Sequence, residues 1–372
     1  MTTTTNTTAT ESPAPGSPPL GKPFLASAGM EALASFVRAS GENAYRAGQI
    51  ANWIARKWIV NPDQMSNIGL PLRRALKEAF NTEGVRLLKE TEAADGSRKM
   101  LLELSGGETV ECASIPAADG RLTFCLSSQV GCPVRCAFCA SGSQGLIRNM
   151  ETGEIVEEFL LLCRTFGRMP DNVVMMGVGE PLLNYENVVA ALEILCNPEG
   201  IALAQRRVTI STSGWTPGIR RLAEHGRQWN LAVSLHAPDD KTRALLIPTK
   251  FRRDIREILE ACRLHRSRTG RLLTLEYVLL ESINDSPVQA RRLAAIAGEV
   301  GAKVNLIPYN RANGAFERPP REVVKRFENQ LKMLHIPVTV RVEKGSDASA
   351  ACGQLCVSRA MMKKGSSHDE KI

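Results

Sequence analysis

The chain has 372 residues, 43% hydrophobic and 23% charged, enough to bury the core of one large domain and a smaller one. No run of about eighteen apolar residues occurs, which excludes a membrane-crossing helix, and the amino-terminal stretch lacks the basic and apolar regions of a secretory signal. A net charge of +8 favours a polyanionic partner, nucleic acid first, although many basic enzymes bind none.

Residues 1–23 are rich in Thr, Ser and Pro and read as a disordered tail that cannot bury apolar surface. Residues 24–82 show apolar positions at helical spacing in ALASFVRA, AGQIANWIARKWI and LPLRRALKEAF, which predicts a small helical domain. Trp53 and Trp58 read as core of that domain before they read as base-stacking platforms. Residues 83–117 read as a small β segment of short strands punctuated by Gly and Asp turns.

From residue 118 to residue 350 short apolar strands alternate with amphipathic helices through six units, from RLTFCLS to the helix REVVKRFENQLKML. Such alternation predicts an α/β fold with a parallel sheet and right-handed crossovers. Six units suit a partial (βα)6 barrel, whose chemistry sits at the carboxyl ends of its strands. The basic run Arg252, Arg253, Arg256, Arg263, Arg266, Arg268 and Arg271 fits a nucleic-acid surface or an ordinary solvated helix face. Residues 351–372 form a carboxyl-terminal segment with Cys352 and Cys356.

Ten cysteines without a secretory signal point to metal or redox chemistry over a disulfide framework. Cys132, Cys136 and Cys139 have the spacing C-x3-C-x2-C on one loop. Three thiolates can ligate three irons of a cubane cluster and leave the fourth iron open to bind and reduce a substrate. Phe138 beside the last cysteine would shield the cluster from water. A zinc knuckle is the competing reading, but it asks for a second ligand pair that this loop does not offer.

The spacing resembles that of the radical S-adenosylmethionine superfamily, and Met176-Gly177-Val178-Gly179-Glu180-Pro181 resembles its GGEP element. More closely, CLSSQVGC from Cys125, MMGVGEPLLN, RRVTISTSG, SLHAP, NLIPYN and Ala351-Cys352-Gly353-Gln354-Leu355 together resemble the RlmN family, from about residue 24 to about 360. The resemblance implies a radical-SAM partial barrel with a helix-hairpin-helix-like accessory domain. It implies one 4Fe-4S cluster on Cys132, Cys136 and Cys139, and two S-adenosylmethionine molecules per turnover. The implied activity is methylation of adenine C2 in 23S rRNA and in tRNA. In that scheme Cys352 is the S-methylcysteine intermediate, Cys125 resolves the adduct through a transient disulfide with Cys352, and Glu111 is the proton acceptor.

Gly179, Glu180, Ser211, Ser234, Leu235, His236 and Asn310 are the implied cofactor contacts. Arg46, Arg56, Lys57, Arg73, Arg74 and Lys77 are candidate phosphate contacts. The chain departs from the family pattern in one place: Glu111 lies one residue further from Cys125, with Cys112 beside it and Glu108 as the alternative acid. Cys112, Cys163, Cys196 and Cys262 read as structural. The implied setting is the cytoplasm, with an external electron donor such as a flavodoxin and neither membrane nor DNA as partner. Three other readings compete: a Cfr-type adenine-C8 methyltransferase, an activase-like radical enzyme with a second cluster near Cys352, and a zinc-stabilised RNA-binding protein.

Overall fold

A computed structural model describes residues 21–310, 316–341 and 354–355. Three helices come first: α1 (Met30–Ala39), α2 (Tyr45–Lys57) and α3 (Leu70–Ala79). Each buries one stripe: Leu33 and Val37 from α1; Ala47, Ile50, Trp53 and Ile54 from α2; Leu72 and Leu76 from α3. Trp53 is 7% exposed and its indole N–H donates to Asn67 Oδ1 at 2.6 Å, while Trp58 ends α2 in the left-handed conformation and packs on the core. Both tryptophans are therefore core, as their spacing suggested. Of the basic residues here, Arg73 donates to the Ile68 and Asp63 carbonyls and Lys77 pairs with Asp63; Arg56 and Arg74 are exposed.

Strands β1 (Val85–Glu92), β2 (Arg98–Leu104), β3 (Thr109–Pro116) and β4 (Leu122–Cys125) pair antiparallel in that order. A separate ribbon joins β5 (Gln129–Gly131) to β6 (Leu146–Asn149), followed by α4 (Thr152–Phe166). The chain then alternates: β7 (Asn172–Met175), α5 (Tyr185–Cys196), β8 (Val208–Thr212), α6 (Thr216–His225), β9 (Asn230–Ser234), α7 (Asp240–Leu246), α8 (Ile255–Thr269), β10 (Leu273–Leu279), α9 (Pro287–Val300), β11 (Lys303–Pro308), α10 (Arg321–Met333) and β12 (Val338–Val340).

One sheet holds ten strands in the order β1-β2-β3-β4-β7-β8-β9-β10-β11-β12, parallel from β4 onward. The six strand–helix units are those read from the sequence, and short β12 adds a seventh parallel strand. Segment 83–117 forms β1 to β3, and β3 pairs with β4 to carry the barrel sheet outward. Local chemistry fixes the helix ends. Glu151 and Glu154 form a capping box at α4 and Ser286 with Gln289 another at α9, satisfying amides that have no intrahelical partner.

The helix-bearing face of the sheet is identified by Phe124 on β4, which meets Phe159 and Phe166 of α4 at ring-centroid distances of 6.1 and 5.7 Å. Alternation along a strand then sends Cys125 to the opposite, inner face. In the basic run around α8, Arg256, Arg263, Arg266 and Arg268 are exposed, and several of the run are tied to neighbouring groups of the fold. Arg263 pairs with Glu299 and Arg256 with Glu260; Arg266 donates to the Val300 carbonyl and Arg271 to Asn230 Oδ1. Among the described residues no helix is long and apolar enough to cross a membrane.

Candidate active site

The three cysteines follow β5 on a loop closed by the β5–β6 ribbon. At Gly131 the backbone has φ +78°, and a Cβ there would lie 1.9 Å from the Gly145 carbonyl oxygen, so only glycine lets the ribbon close. The Cys132 amide donates to that same carbonyl at 3.1 Å, the Cys139 amide to the Cys136 carbonyl at 3.1 Å, and the Ala137 amide to the Leu246 carbonyl at the end of α7 at 2.9 Å. Val134, Ala237, Leu246, Ile247, Val278 and Leu280 pack as an apolar shell against Cys132, Cys136 and Phe138. Phe138, partly buried, packs on that shell and lines the same cavity as the cysteines. Burial pushes the Cys132 thiol up to about 12 and the Cys136 thiol well above its ordinary value. Such thiols give up their protons only to a strongly cationic partner.

Cys132, Cys136 and Cys139 line one cavity together with Gly179, Glu180, Ser211, Ser234, His236 and Asn310. Loops from five different strands thus converge where parallel barrels place chemistry. Glu180 is 3% exposed; its carboxylate accepts from the Ser213 amide at 2.6 Å and the Leu182 amide at 3.1 Å, while burial pushes its pKa up. At Gly179 (φ +113°) a Cβ would come within 2.7 Å of Gln129 and Ser128 side-chain atoms. His236 has φ +58°, and its Nδ1 accepts from the Val278 amide at 3.1 Å, which puts the ring proton on Nε2. Desolvation lowers its pKa to about 3, so the ring is a neutral donor. Leu235 departs from the expected role: its side chain is fully buried and absent from the cavity wall, and only its backbone serves, donating to the Glu276 carbonyl at 3.1 Å.

Glu111 and Cys125 are not among the residues lining the cavity. The register nevertheless gathers them on one surface. Cys125 faces Ala113 and Ala113 faces Lys99 across the strands, while Glu111 and Lys99 form an ion pair of 3.0 Å. Glu111, Lys99 and Cys125 therefore share the inner face. Cys112, paired with Met100, points the other way and meets the Glu158 carboxyl of α4. Glu108 is engaged by Arg148 at 2.9 Å. Between Glu111 and Cys125 the chain turns at 117–121, where the Ala117 amide donates to the Arg121 carbonyl at 2.7 Å and Gly120 has φ +82°. Cys352 and Cys356 lie outside the described residues. Nearby Leu355 is described: its carbonyl accepts from Ser141 Oγ at 2.6 Å, and Ser141 lines the cavity.

Several residues escaped the sequence reading although they sit inside the quoted motifs. Ser127 Oγ donates to the Glu111 carbonyl and accepts from the Val178 amide, both at 2.8 Å, tying β3 to the glycine-rich turn. Gln129 Oε1 accepts from the Glu180 amide at 2.8 Å, and Asn184 Nδ2 donates to the Ser128 and Met150 carbonyls at 2.7 and 2.8 Å. Glu276, 5% exposed and bonded by Asn305 Nδ2 at 2.7 Å, also lines the cavity. Their signal was the polar residue inside an apolar motif, but the partner of each lies far along the chain.

A barrel of this topology, with three thiols and a buried acid on one cavity, defines a radical S-adenosylmethionine enzyme. The profile of the radical SAM superfamily matches residues 126–294, and that of the ribosomal RNA large subunit methyltransferase N-terminal domain matches residues 25–81. The probable dual-specificity RNA methyltransferase RlmN of Akkermansia muciniphila is 39% identical over 94% of this chain and 99% of its own. The dual-specificity RNA methyltransferase RlmN of Pseudomonas entomophila is 39% identical, covering 90% of each chain. The crystal structure of a radical SAM methyltransferase from Sphaerobacter thermophilus superposes with a TM-score of 0.85 at 41% identity, covering 90% of this chain and 99% of that one. The chain belongs to the RlmN family.

Membership implies a 4Fe-4S cluster and S-adenosylmethionine, and the donor set fits them. Among the described residues no three Cys, His, Asp or Glu side chains converge as a single ion would require. The three thiols instead line one wall of a single cavity, as a cubane held at three corners requires.

Proposed function

We propose that this protein methylates C2 of an adenine in 23S rRNA, at the peptidyl-transferase centre, and in tRNA, at the adenine beside the anticodon. One observation carries the reading: the three thiols share a cavity with Gly179, Glu180, Ser211, Ser234, His236 and Asn310. The cluster and two S-adenosylmethionine molecules per turnover supply a methyl group and a 5′-deoxyadenosyl radical. An electron-poor C2–H between two ring nitrogens demands such radical chemistry, because it is no nucleophile.

Cys132, Cys136 and Cys139 hold the cluster, and the apolar shell around them excludes water. Glu180 and the Gly179 backbone bind the methionine end of the cofactor. Ser211, the Ser234–His236 backbone and Asn310 bind the remainder, with His236 offering Nε2–H as a neutral donor. Cys352 carries the methyl group on sulfur. Glu111, held by Lys99, accepts the proton that leaves C2. Cys125, on the same face as Glu111, attacks the Cys352 sulfur of the closed-shell adduct: a transient disulfide forms, the sulfur–methylene bond breaks, and the methylene carbon left on C2 takes up a proton to become the methyl group. Exposed Arg56 and Arg74 lie on the amino-terminal domain and serve RNA phosphates. A flavodoxin-type donor supplies electrons, and the reaction takes place in the cytoplasm.

The match of residues 25–81 to the ribosomal RNA methyltransferase amino-terminal domain favours C2 over the Cfr-type C8 reaction. Anaerobically reconstituted protein given labelled S-adenosylmethionine and unmodified 23S rRNA should yield 2-methyladenosine on digestion, whereas 8-methyladenosine would overturn the assignment. In parallel, Cys125→Ala should accumulate RNA covalently joined to protein and Cys112→Ala should turn over normally. The reverse result would mean that the facing of β3 and β4 has been assigned wrongly.

A further inference from the structure

Arg243, on α7, is fully buried, and nothing assigned above uses its charge. Its guanidinium donates to three backbone carbonyls: Leu235 at 3.2 Å, Arg253 at 2.8 Å, and Ser213. Among the described residues no carboxylate lies within 4 Å of it, and Asp240 and Asp254 act on its charge only from further off. That is unusual, since a buried arginine is ordinarily paired. Desolvation brings its pKa down to about 10, which leaves it charged at neutral pH.

The position of this cation is as informative as its isolation. One turn beyond Arg243, the Leu246 carbonyl accepts the amide of Ala137, the residue after Cys136, at 2.9 Å. The end of α7 is thereby docked on the cluster loop. Ser213, whose carbonyl takes the guanidinium, lines the same cavity as Cys136. Leu246 and Ile247 belong to the apolar shell behind the cysteines, so little water screens the Arg243 charge.

We propose that Arg243 is a positioning residue for charge, a buried cation without a contacting carboxylate behind the cluster loop, that raises the reduction potential of the cluster. Reduction adds one electron from an external low-potential donor and makes the cluster more negative by one charge. A fixed buried cation stabilises that product more than the oxidised form, and net charge around a cluster is one of the levers on its potential. The three carbonyls hold the guanidinium in place, and neither Asp240 nor Asp254 contacts it.

The inference rests on the cluster assignment above, and the experiment separates the two. Arg243→Lys and Arg243→Met both lose the planar fork, but only the lysine keeps the charge. Reconstituted parent and variants are titrated with dithionite without S-adenosylmethionine, and the reduced cluster is followed by electron paramagnetic resonance. The expected result is a midpoint for Arg243→Met more negative than those of the parent and of Arg243→Lys, at equal iron content. Equal midpoints for the two variants overturn the proposal. Failure of the parent to take up iron and sulfide would sink the cluster assignment instead.

Should neither variant hold iron while the parent does, Arg243 is a structural support of the cluster loop and the proposal is overturned.

Discussion

His236 joins the fold and the site through one ring, and its two nitrogens can be tested apart. Nδ1 accepts the buried Val278 amide at 3.1 Å, and the ring meets Phe138 edge-on with centroids 4.8 Å apart. Truncation to alanine leaves that amide unsatisfied, a loss of about 1–3 kcal/mol. It also removes the aromatic contact, worth about 0.5–1.5 kcal/mol. His236→Ala should therefore destabilise the apoprotein by roughly 2–4 kcal/mol.

Asparagine offers an oxygen where Nδ1 stood and tolerates the φ of +58° at this position. His236→Asn should lose little more than the aromatic contact, about 0.5–1.5 kcal/mol. Thermal melts followed by circular dichroism read the difference, at about 2–4 °C per kcal/mol for a large domain. Asparagine has nothing in the place of Nε2–H, so equilibrium dialysis should show weakened S-adenosylmethionine binding by the reconstituted variant. Alanine and asparagine variants of equal stability would refute the tautomer assignment. Parental cofactor binding by His236→Asn would refute the role of Nε2–H.

Two further predictions concern the polar framework behind the site. Glu157 is 3% exposed, accepts the Val85 amide at 2.9 Å, and is pushed by burial up to about 8. The folded state therefore holds this proton more tightly than an unfolded carboxyl near pH 4.3 does, so its contribution to stability is full below that pH and is lost as pH rises through 8. Glu157→Gln removes the titration, and the melting temperature of the variant relative to the parent should climb between pH 5 and pH 9; a constant difference would refute the shift. Arg148 bridges Glu108 at 2.9 Å and fully buried Glu154 at 2.7 Å. Arg148→Met strands the Glu154 charge and should cost about 3–5 kcal/mol in urea unfolding, most of it regained on adding Glu154→Gln. A double variant no more stable than the single one would show that the Glu154 charge is not the source of the loss.

The six strand–helix units were legible because short apolar strands alternate with segments of helical period, and the cysteine loop because its spacing is local. Which of Glu111 and Cys112 lies on the inner face of the sheet was not legible from alternation. Alternation identifies a face only when the other face is wet, and the first six residues of β3, Thr109 to Ser114, are all buried. Glu111 and Cys112 are adjacent letters in a string, yet a slip of one residue in register would exchange them between the cavity side and the α4 side. What fixes the register is remote: the turn at 117–121, the Ala113–Cys125 pairing, and Ser127 reaching back to the Glu111 carbonyl. The same reasoning explains why Gln129, Asn184 and Arg243 escaped notice, since each acts on backbone groups brought near only by the closed sheet. A polar residue inside an apolar motif is thus the sequence's mark of a scaffold contact, but only the sheet supplies the partner that gives it a purpose.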